Sequence, residues 1–235
     1  RCPYCDFLSA SIPCAVPTEY VDALCREIEA WGRTSAVHTV FFGGGTPSLL
    51  APKDLGRILD GVAKHFALAE PEITIEANPD DVTHELAQAW QAQGVNRVSL
   101  GVQSFDDRVL AYLGRRHDAA TALRACEIVA GRFENWSMDL IFGTPPVEAW
   151  QSTLDQCVAL SPPHVAAYGL TYEAGTPFEA RRHEALDEDA MLALYRQAEQ
   201  SLAAYDHYEI SNFAQPGYAS RHNLTYWRNE EYLGL

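Results

Sequence analysis

The chain has 235 residues, of which 47% are hydrophobic and 21% are charged, and this composition excludes wholesale disorder. Its 17 basic and 32 acidic residues give a formal net charge of −15, which repels phosphate backbones and argues against general nucleic-acid binding. No apolar run reaches the roughly 18 residues of a transmembrane segment, and no signal peptide opens the sequence. Since the first residue is Arg1 rather than Met, we expect a fragment that is truncated at both ends.

Short apolar runs alternate with amphipathic stretches, a pattern that predicts buried parallel strands joined by helices. The first helix is predicted to begin with Thr18 as its cap and to end at Gly32. The predicted strands are Val37–Phe42, Glu72–Ala77, Arg97–Val102, Trp136–Phe142 and Val165–Leu170, with Tyr208–Ile210 as a possible sixth. The other predicted helices are Lys53–Phe66, His84–Gln93, Ala119–Ala130, Trp150–Leu160 and Asp187–Tyr205.

The repeat of strand and helix indicates an α/β fold with a parallel sheet or barrel. The number of strands is short of eight, so either the barrel is partial or units lie outside the chain. No low-complexity linker divides the sequence. The long loop Thr171–Ala185 is of the kind that often carries function.

Glycines or polar residues follow four successive predicted strands. Gly43–Pro47 follow the first strand, Glu76 and Asn78 lie at the end of the second, Gln103 follows the third, and Asp139 lies within the fourth. In a barrel of this type the site is built where the strands end. Four such positions in order therefore predict a ligand pocket at one mouth of the barrel.

Each of these residues also has a structural interpretation. The glycine run could be a simple turn, and it is not a P-loop because no Gly-Lys-Ser/Thr follows it. Glu76 and Asp139 could be solvated, although a carboxylate buried in an apolar strand needs a partner. Arg115 could be a surface charge or could pair with a ligand carboxylate.

Cys2 and Cys5 form a close C-P-Y-C pair that allows three interpretations. A glutaredoxin dithiol requires a helix that starts at the first cysteine, but no helical period follows. Zinc requires further ligands, which Cys14 and Cys25 are too scattered to supply. The third interpretation is an iron–sulfur cluster with another cysteine outside the chain. The remaining cysteines on apolar helix faces are predicted to be small buried hydrophobes in a reducing compartment, namely Cys25, Cys126 and Cys157.

Together, these motifs resemble the radical S-adenosylmethionine (SAM) family, and within it the HemW branch of haem chaperones. That branch is similar to the oxygen-independent coproporphyrinogen III oxidases. The segment Cys2–Phe7 resembles the last two cysteines of the family's C-x3-C-x2-C loop, whose first cysteine would lie four positions before Cys2. The other motifs match in order along essentially the whole chain: Gly43–Pro47, Glu76–Pro79, Gly101–Phe105, Asp139–Gly143 and His222–Trp227.

The resemblance implies a partial (β/α)6 barrel of the radical SAM type over residues 1–235, with a HemN/HemW-type region starting at about residue 205. It implies that Cys2 and Cys5 bind two irons of a [4Fe–4S] cluster, and that SAM chelates a further iron through its amino and carboxylate groups. Tyr4 would contact SAM through its backbone. The other implied SAM-binding residues are Gly44, Gly45, Thr46, Glu76, Gln103, Arg115 and Asp139.

Two features separate the branches of the family. The oxidases carry a further cysteine at the position of Phe7, and the stretch His222–Trp227 resembles the chaperone's haem-binding motif. Neutral imidazole is a good ligand for haem iron, and Tyr226 and Trp227 offer flat apolar surface. A packed structural histidine is the alternative for His222.

The resemblance therefore implies a cytoplasmic haem chaperone that binds haem and delivers it to haem proteins. The alternative is an oxidase, which uses radical chemistry to convert porphyrinogen propionates to vinyl groups. A third interpretation, a degenerate barrel without a cluster, is disfavoured by the intact cysteine pair. The expected partners are haem and haem-accepting proteins, with no nucleic acid, no transmembrane segment and a dimer left open.

Overall fold

The computed structural model describes residues 2–7 and 16–235, and for residues 33–35 the backbone alone. The described residues form a curled seven-stranded sheet in the order β1-β2-β3-β4-β5-β7-β6. The strands are β1 Arg33–Phe42, β2 Phe66–Ala77, β3 Arg97–Gln103, β4 Asn135–Phe142, β5 His164–Gly169, β6 Asp206–His207 and β7 Asn212–Ala214. The α-helices are α1 Thr18–Trp31, α2 Pro52–His65, α3 His84–Ala92, α4 Asp107–Tyr112, α5 Ala119–Ala130, α6 Ala149–Leu160, α7 Glu188–Ser201 and α8 Arg221–Trp227.

The sheet is a partial barrel, as the sequence predicts. Strands β1 to β5 pair in parallel, whereas β7 pairs antiparallel with both β5 and β6. The prediction of a possible strand at Tyr208–Ile210 is wrong, because these residues connect β6 to β7. Phe213 and Ala214 of β7 are buried in the core, whereas Ile210 is 62% exposed.

Alternate residues of the parallel strands face opposite sides of the sheet. Apolar side chains such as Ile75, Leu100 and Met138 pack against the surrounding helices in the main core. The intervening positions are polar and form the inner surface; they include Thr74, Glu76, Arg97, Ser99, Ser137 and Asp139. The inside of this barrel is therefore a polar surface suited to a ligand.

Several local predictions need correction. Thr18 is the first residue of α1 and not its cap, because Pro17 occupies the cap position. Trp31, predicted on the apolar face of that helix, is 44% exposed. Cys126 and Cys157 are buried as expected, whereas Cys25 is only half-buried, and Cys14 lies outside the described residues.

The loop Thr171–Ala185 contains a 3-10 helix at Pro177–Glu184, which the sequence did not predict. Short helices α4 and α8 were also missed, since neither is long enough to show a clear period. Within the described part of the chain, no helix is long and apolar enough to cross a membrane.

Candidate functional site

The cysteine pair lies in a turn in which the Cys5 N–H donates to the Cys2 carbonyl at 3.2 Å. Pro3, one of the two residues between the cysteines, anchors the turn through its carbonyl, which accepts the Phe178 N–H at 3.2 Å. The Pro3 ring lies against Gly114, where an added Cβ would come within 2.8 Å of the ring. Gly114 also has a φ of +64°, so its lack of a side chain serves both the backbone and this close approach.

An aromatic cluster supports the same turn from the long loop and α4. Tyr4 meets Phe178 edge-on with ring centroids 6.0 Å apart, and Tyr112 meets the same ring at 5.4 Å. The hydroxyls of Tyr112 and Tyr172 lie 2.7 Å apart. The Arg181 guanidinium covers the Tyr112 ring at 3.9 Å. The long loop Thr171–Ala185 therefore stabilises the cysteine turn.

Arg115 connects the cysteine turn to the ends of two strands. Its Nη1 donates to Cys2 Sγ at 3.2 Å, and its Nη2 donates to Asn78 Oδ1 at 2.6 Å and to the Gly101 carbonyl at 3.0 Å. The interpretation of Arg115 as a surface charge is therefore wrong. Its guanidinium places a positive charge beside the sulfur, and its Nε is buried without a partner among the described residues.

The glycine run lies against Glu76, at the carboxyl end of β2. The Gly44 N–H lowers the pKa of the Glu76 carboxyl, and a Cβ at Gly43 would come within 3.2 Å of its Oε1. Gly44 has a φ of +100°, and the space beside it is open. Gly45 is exposed, and Thr46 precedes the 3-10 helix Pro47–Leu49. These residues leave room for a ligand next to Glu76.

Asp139 is held on β4 by two serine hydroxyls. Ser99 donates to both carboxylate oxygens at 3.0 and 2.9 Å, and Ser137 donates to Oδ1 at 2.9 Å. Burial raises the Asp139 pKa to about 6, against the lowering effect of the serines and of Arg97. Ser99 and Ser137 were not predicted, although both are polar residues in apolar strands on the same face as Asp139.

Glu76 is also perturbed by its surroundings. Burial, followed by the charge of Asp139, raises the Glu76 pKa to about 7. Among the described residues, neither Glu76 nor Asp139 has an ion-pair partner within 4.0 Å. Two half-buried carboxylates without an ion-pair partner within 4.0 Å among the described residues indicate a place for a cationic or hydrogen-bond-donating ligand.

We expect the Glu76→Gln variant to be more stable than the wild type at pH 8. In the folded protein the Glu76 carboxyl holds its proton up to about pH 7, whereas the ordinary value is 4.5. The wild type therefore loses stability as the pH rises through this window, on the order of 2 kcal/mol. Gln removes the titration, so thermal midpoints should differ at pH 8 and converge near pH 4. Glu127→Gln, at an exposed position on α5, is the control; equal pH dependence in all three proteins would contradict the assignment.

Gln103 is the last residue of β3 and has an unusual backbone conformation. Its φ is +66°, and a Cβ at Gly101 would come within 2.9 Å of Gln103 Nε2. The same Cβ would lie 3.5 Å from the Arg115 guanidinium. Gly101 thus leaves the space into which both polar side chains extend, which explains why a glycine precedes this glutamine by two positions.

His222 lies elsewhere in the barrel. Its Nδ1 is 2.8 Å from Thr39 Oγ1, its Nε2 is 3.0 Å from the Tyr226 hydroxyl, and its ring stacks on Phe41 at 4.9 Å. The His222 N–H donates at 3.1 Å to Glu72, which precedes Glu76 by four residues, or about 13 Å along the strand. The structure therefore brings together the residues predicted at the mouth but separates His222 from them.

A cleft of about 640 Å³ opens at the amino-terminal ends of the strands. Glu72, Asn96, Arg132 and Arg221 are among its lining residues. It lies at the opposite end of the barrel from the cysteine turn and is thus separate from the candidate site.

The residues at the mouth fit the cofactors implied by the sequence. Two thiols lie on a fixed turn with a guanidinium beside one of them, and the described residues contain no group of three His, Cys, Asp or Glu that could hold a metal alone. Among the described residues the buried Arg115 Nε has no hydrogen-bond partner, and the carboxylates of Glu76 and Asp139 form no ion pair, so a polar, charged ligand would supply what they lack. This donor set suits a cluster with an amino-acid-bearing ligand next to it.

Comparison with known proteins gives the same family as the motifs. Residues 1–156 match the family model described as the Radical SAM superfamily. The chain is 40% identical over 245 residues to the protein named heme chaperone HemW of Escherichia coli (strain K12), and 42% identical over 254 residues to that of Synechocystis sp.. These alignments cover 100% of this chain and 65% and 61% of the relatives, so the chain spans a little under two thirds of their length.

Solved structures show the same fold. Coproporphyrinogen III oxidase (HemN) from Escherichia coli superposes with a TM-score of 0.75 over 90% of this chain and 51% of that chain, at 23% identity. The anSMEcpe structure with bound AdoMet gives a TM-score of 0.59 over 86% and 55% of the two chains, at 13% identity. With a family model that matches well over half of its residues and a barrel shared with these structures, the chain belongs to the radical SAM superfamily.

Proposed function

We propose that the protein is a haem chaperone that binds a [4Fe–4S] cluster, SAM and haem, and delivers haem to haem proteins. The observation that carries the cofactor part is the cysteine turn, held by Arg115 near two half-buried carboxylates that form no ion pair among the described residues. The similarity of 40–42% to proteins named heme chaperone HemW supports the chaperone part.

In this proposal Cys2 and Cys5 hold the cluster, and the contacts of Pro3 and Tyr4 keep the two thiols in place. A cluster held there would supply an iron to which SAM could bind through its amino and carboxylate groups. Arg115 neutralises negative charge at the thiolates and fixes the turn to β3 through the Gly101 carbonyl.

The remaining mouth residues receive SAM. Glu76 and Asp139 accept hydrogen bonds from its amino or ribose hydroxyl groups, and Gln103 offers both a donor and an acceptor. Gly44 and Gly45 allow the backbone to approach the ligand closely, since no side chain fills the open space beside Gly44. Thr46 adds a hydroxyl at the end of this run. A cation bound here would stabilise the charged form of Glu76.

Haem is placed at α8 by the proposal. His222 supplies an imidazole nitrogen, and Tyr226 and Trp227, which are 47% and 53% exposed, supply flat surface. The Tyr226 hydroxyl is hydrogen-bonded to His222 Nε2, so this hydrogen bond must break before that nitrogen can bind haem iron. The partners are haem and haem-accepting proteins in a reducing, cytoplasmic compartment.

Calorimetric titration with SAM tests whether the residues at the mouth of the barrel bind it. We expect Asp139→Asn to weaken SAM binding by about 10- to 100-fold, because a lost charge-assisted hydrogen bond costs about 1.5–3 kcal/mol. The amide has nearly the same shape as the carboxylate and can still accept from Ser99, so the fold should persist. Asp155→Asn, at an exposed position on α6, is the control. Wild-type affinity in the Asp139 variant would remove this residue from the site.

A further inference from the structure

A continuous chain of hydrogen bonds runs through the barrel from the mouth to α8. It begins at Asp139, whose Oδ1 lies 2.9 Å from Ser137 Oγ. Ser137 Oγ is 2.8 Å from His164 Nδ1, and His164 Nε2 is 2.9 Å from the Tyr208 hydroxyl. Ser137 and His164 are fully enclosed, with 1% and 2% of their surfaces exposed. The proposed function assigns neither residue to a ligand.

The direction of every hydrogen bond in this chain follows from counting protons. Ser137 has one hydroxyl proton and donates it to the Asp139 carboxylate, so it must accept from His164 Nδ1. Burial holds the His164 pKa well below its usual range, so the ring is neutral and Nε2 carries no proton. His164 Nε2 therefore accepts from the Tyr208 hydroxyl.

Tyr208, at the far end of this series of hydrogen bonds, binds the first turn of α8. Because the Tyr208 proton points toward His164, the lone pairs of its oxygen face the helix. They accept the Ser220 N–H at 3.4 Å and the Asn223 side-chain amide at 3.2 Å. Ser220 is the cap of α8, and its Oγ accepts the Asn223 N–H. Asn223 is next to His222 in the sequence.

This arrangement allows a ligand at the mouth to act on the helix. A ligand that donates to Asp139 fixes the carboxylate, and the carboxylate fixes the Ser137 hydroxyl. His164 Nδ1–H can then donate only to Ser137, and the Tyr208 hydroxyl only to His164 Nε2. The lone pairs of the Tyr208 oxygen are therefore oriented toward Ser220 and Asn223. A network of this kind, enclosed in a low-dielectric interior, is stronger and more directional than the same bonds in water.

We propose that Ser137, His164 and Tyr208 are positioning residues that couple the ligand bound at Asp139 to the start of α8. The coupling rests on the proposed function, because it takes SAM as that ligand and α8 as the haem helix. Thermodynamic reciprocity requires that whatever binds at α8 also affects binding at the mouth.

Hydrogen–deuterium exchange of the full-length protein tests the coupling. In the wild type, saturating SAM is expected to slow exchange of the amides in residues 220–224 by about fivefold or more. Tyr208→Phe keeps the ring but removes the hydroxyl that links His164 to α8, so SAM should still bind while the slowing is lost. Tyr205→Phe is the matched control, since this half-buried tyrosine donates to the Pro162 carbonyl outside the chain of bonds and should behave as the wild type.

The outcomes separate the two proposals. If SAM binds the wild type in calorimetry but exchange at residues 220–224 does not change, the coupling is wrong and the proposed function stands. If Tyr208→Phe keeps the SAM-dependent slowing, the role of Tyr208 is wrong. If the wild type with its cluster does not bind SAM, both proposals fail. Should Tyr208→Phe not fold, Asn223→Leu removes one of the two hydrogen bonds between α8 and the Tyr208 hydroxyl, and the SAM-dependent slowing should become smaller; an unchanged slowing would contradict the coupling.

Discussion

Replacement of Cys5 with alanine is expected to abolish the bound iron and sulfide of the anaerobically purified, full-length protein, together with its brown colour. Cys2 and Cys5 have the spacing of cluster ligands, and the structure places them on one turn. A cluster that loses one of its cysteine thiolates loses a direct bond to iron, which alanine cannot replace.

Cys25→Ala is the matched control for this experiment. Cys25 is half-buried on α1 and is not part of the turn, so its loss should leave the iron content unchanged. Both variants remove one thiol, so a general effect of cysteine content would appear in both. Unchanged iron and sulfide in Cys5→Ala would reject the cluster assignment and would leave the cysteine pair with a structural role.

Haem binding should depend on His222. We expect the full-length protein to bind haem stably and His222→Ala to weaken that binding by at least about tenfold, or about 1.4 kcal/mol. His84→Ala, at an exposed position on α3, controls for the loss of a surface imidazole. Absorption spectra of haem titrations measure both the affinity and the identity of the axial ligand.

The structure also indicates a variant that should not weaken haem binding. Tyr226→Phe removes the hydroxyl that occupies His222 Nε2 and keeps the aromatic ring. If haem iron binds that nitrogen, the variant should bind haem as tightly as the wild type or more tightly. Weaker binding would mean that the Tyr226 hydroxyl, rather than a freed imidazole, holds the haem.

The same preparation distinguishes a chaperone from an oxidase. Phe7 occupies the position at which the oxidases carry a cysteine, and its exposed phenyl group offers no sulfur to any step that needs one. We therefore expect no conversion of coproporphyrinogen III to protoporphyrinogen IX with SAM under reducing, anaerobic conditions. Robust formation of the vinyl product would overturn the chaperone proposal.

The sequence was sufficient to predict the parallel strands and the mouth of the barrel. Each strand is a short apolar run with its own local signal, and Glu76, Gln103 and Asp139 are polar residues at or near the ends of such runs. Parallel strands in one sheet bring their carboxyl ends to one edge, so the order of these residues along the chain predicted their proximity.

Contacts between distant parts of the chain decided the rest. Arg115 reaches Cys2 across 113 positions, and His222 reaches Thr39 across 183. No periodicity in the sequence encodes such a pairing, because it depends on how the sheet curls and where the long loop and α8 pack. The interpretation of Arg115 as a surface charge was wrong for this reason, and the sequence placed His222 in a motif without giving its depth in the barrel. The chain from Asp139 to Asn223 exists only in the folded protein, where burial removes water and leaves each donor a single acceptor.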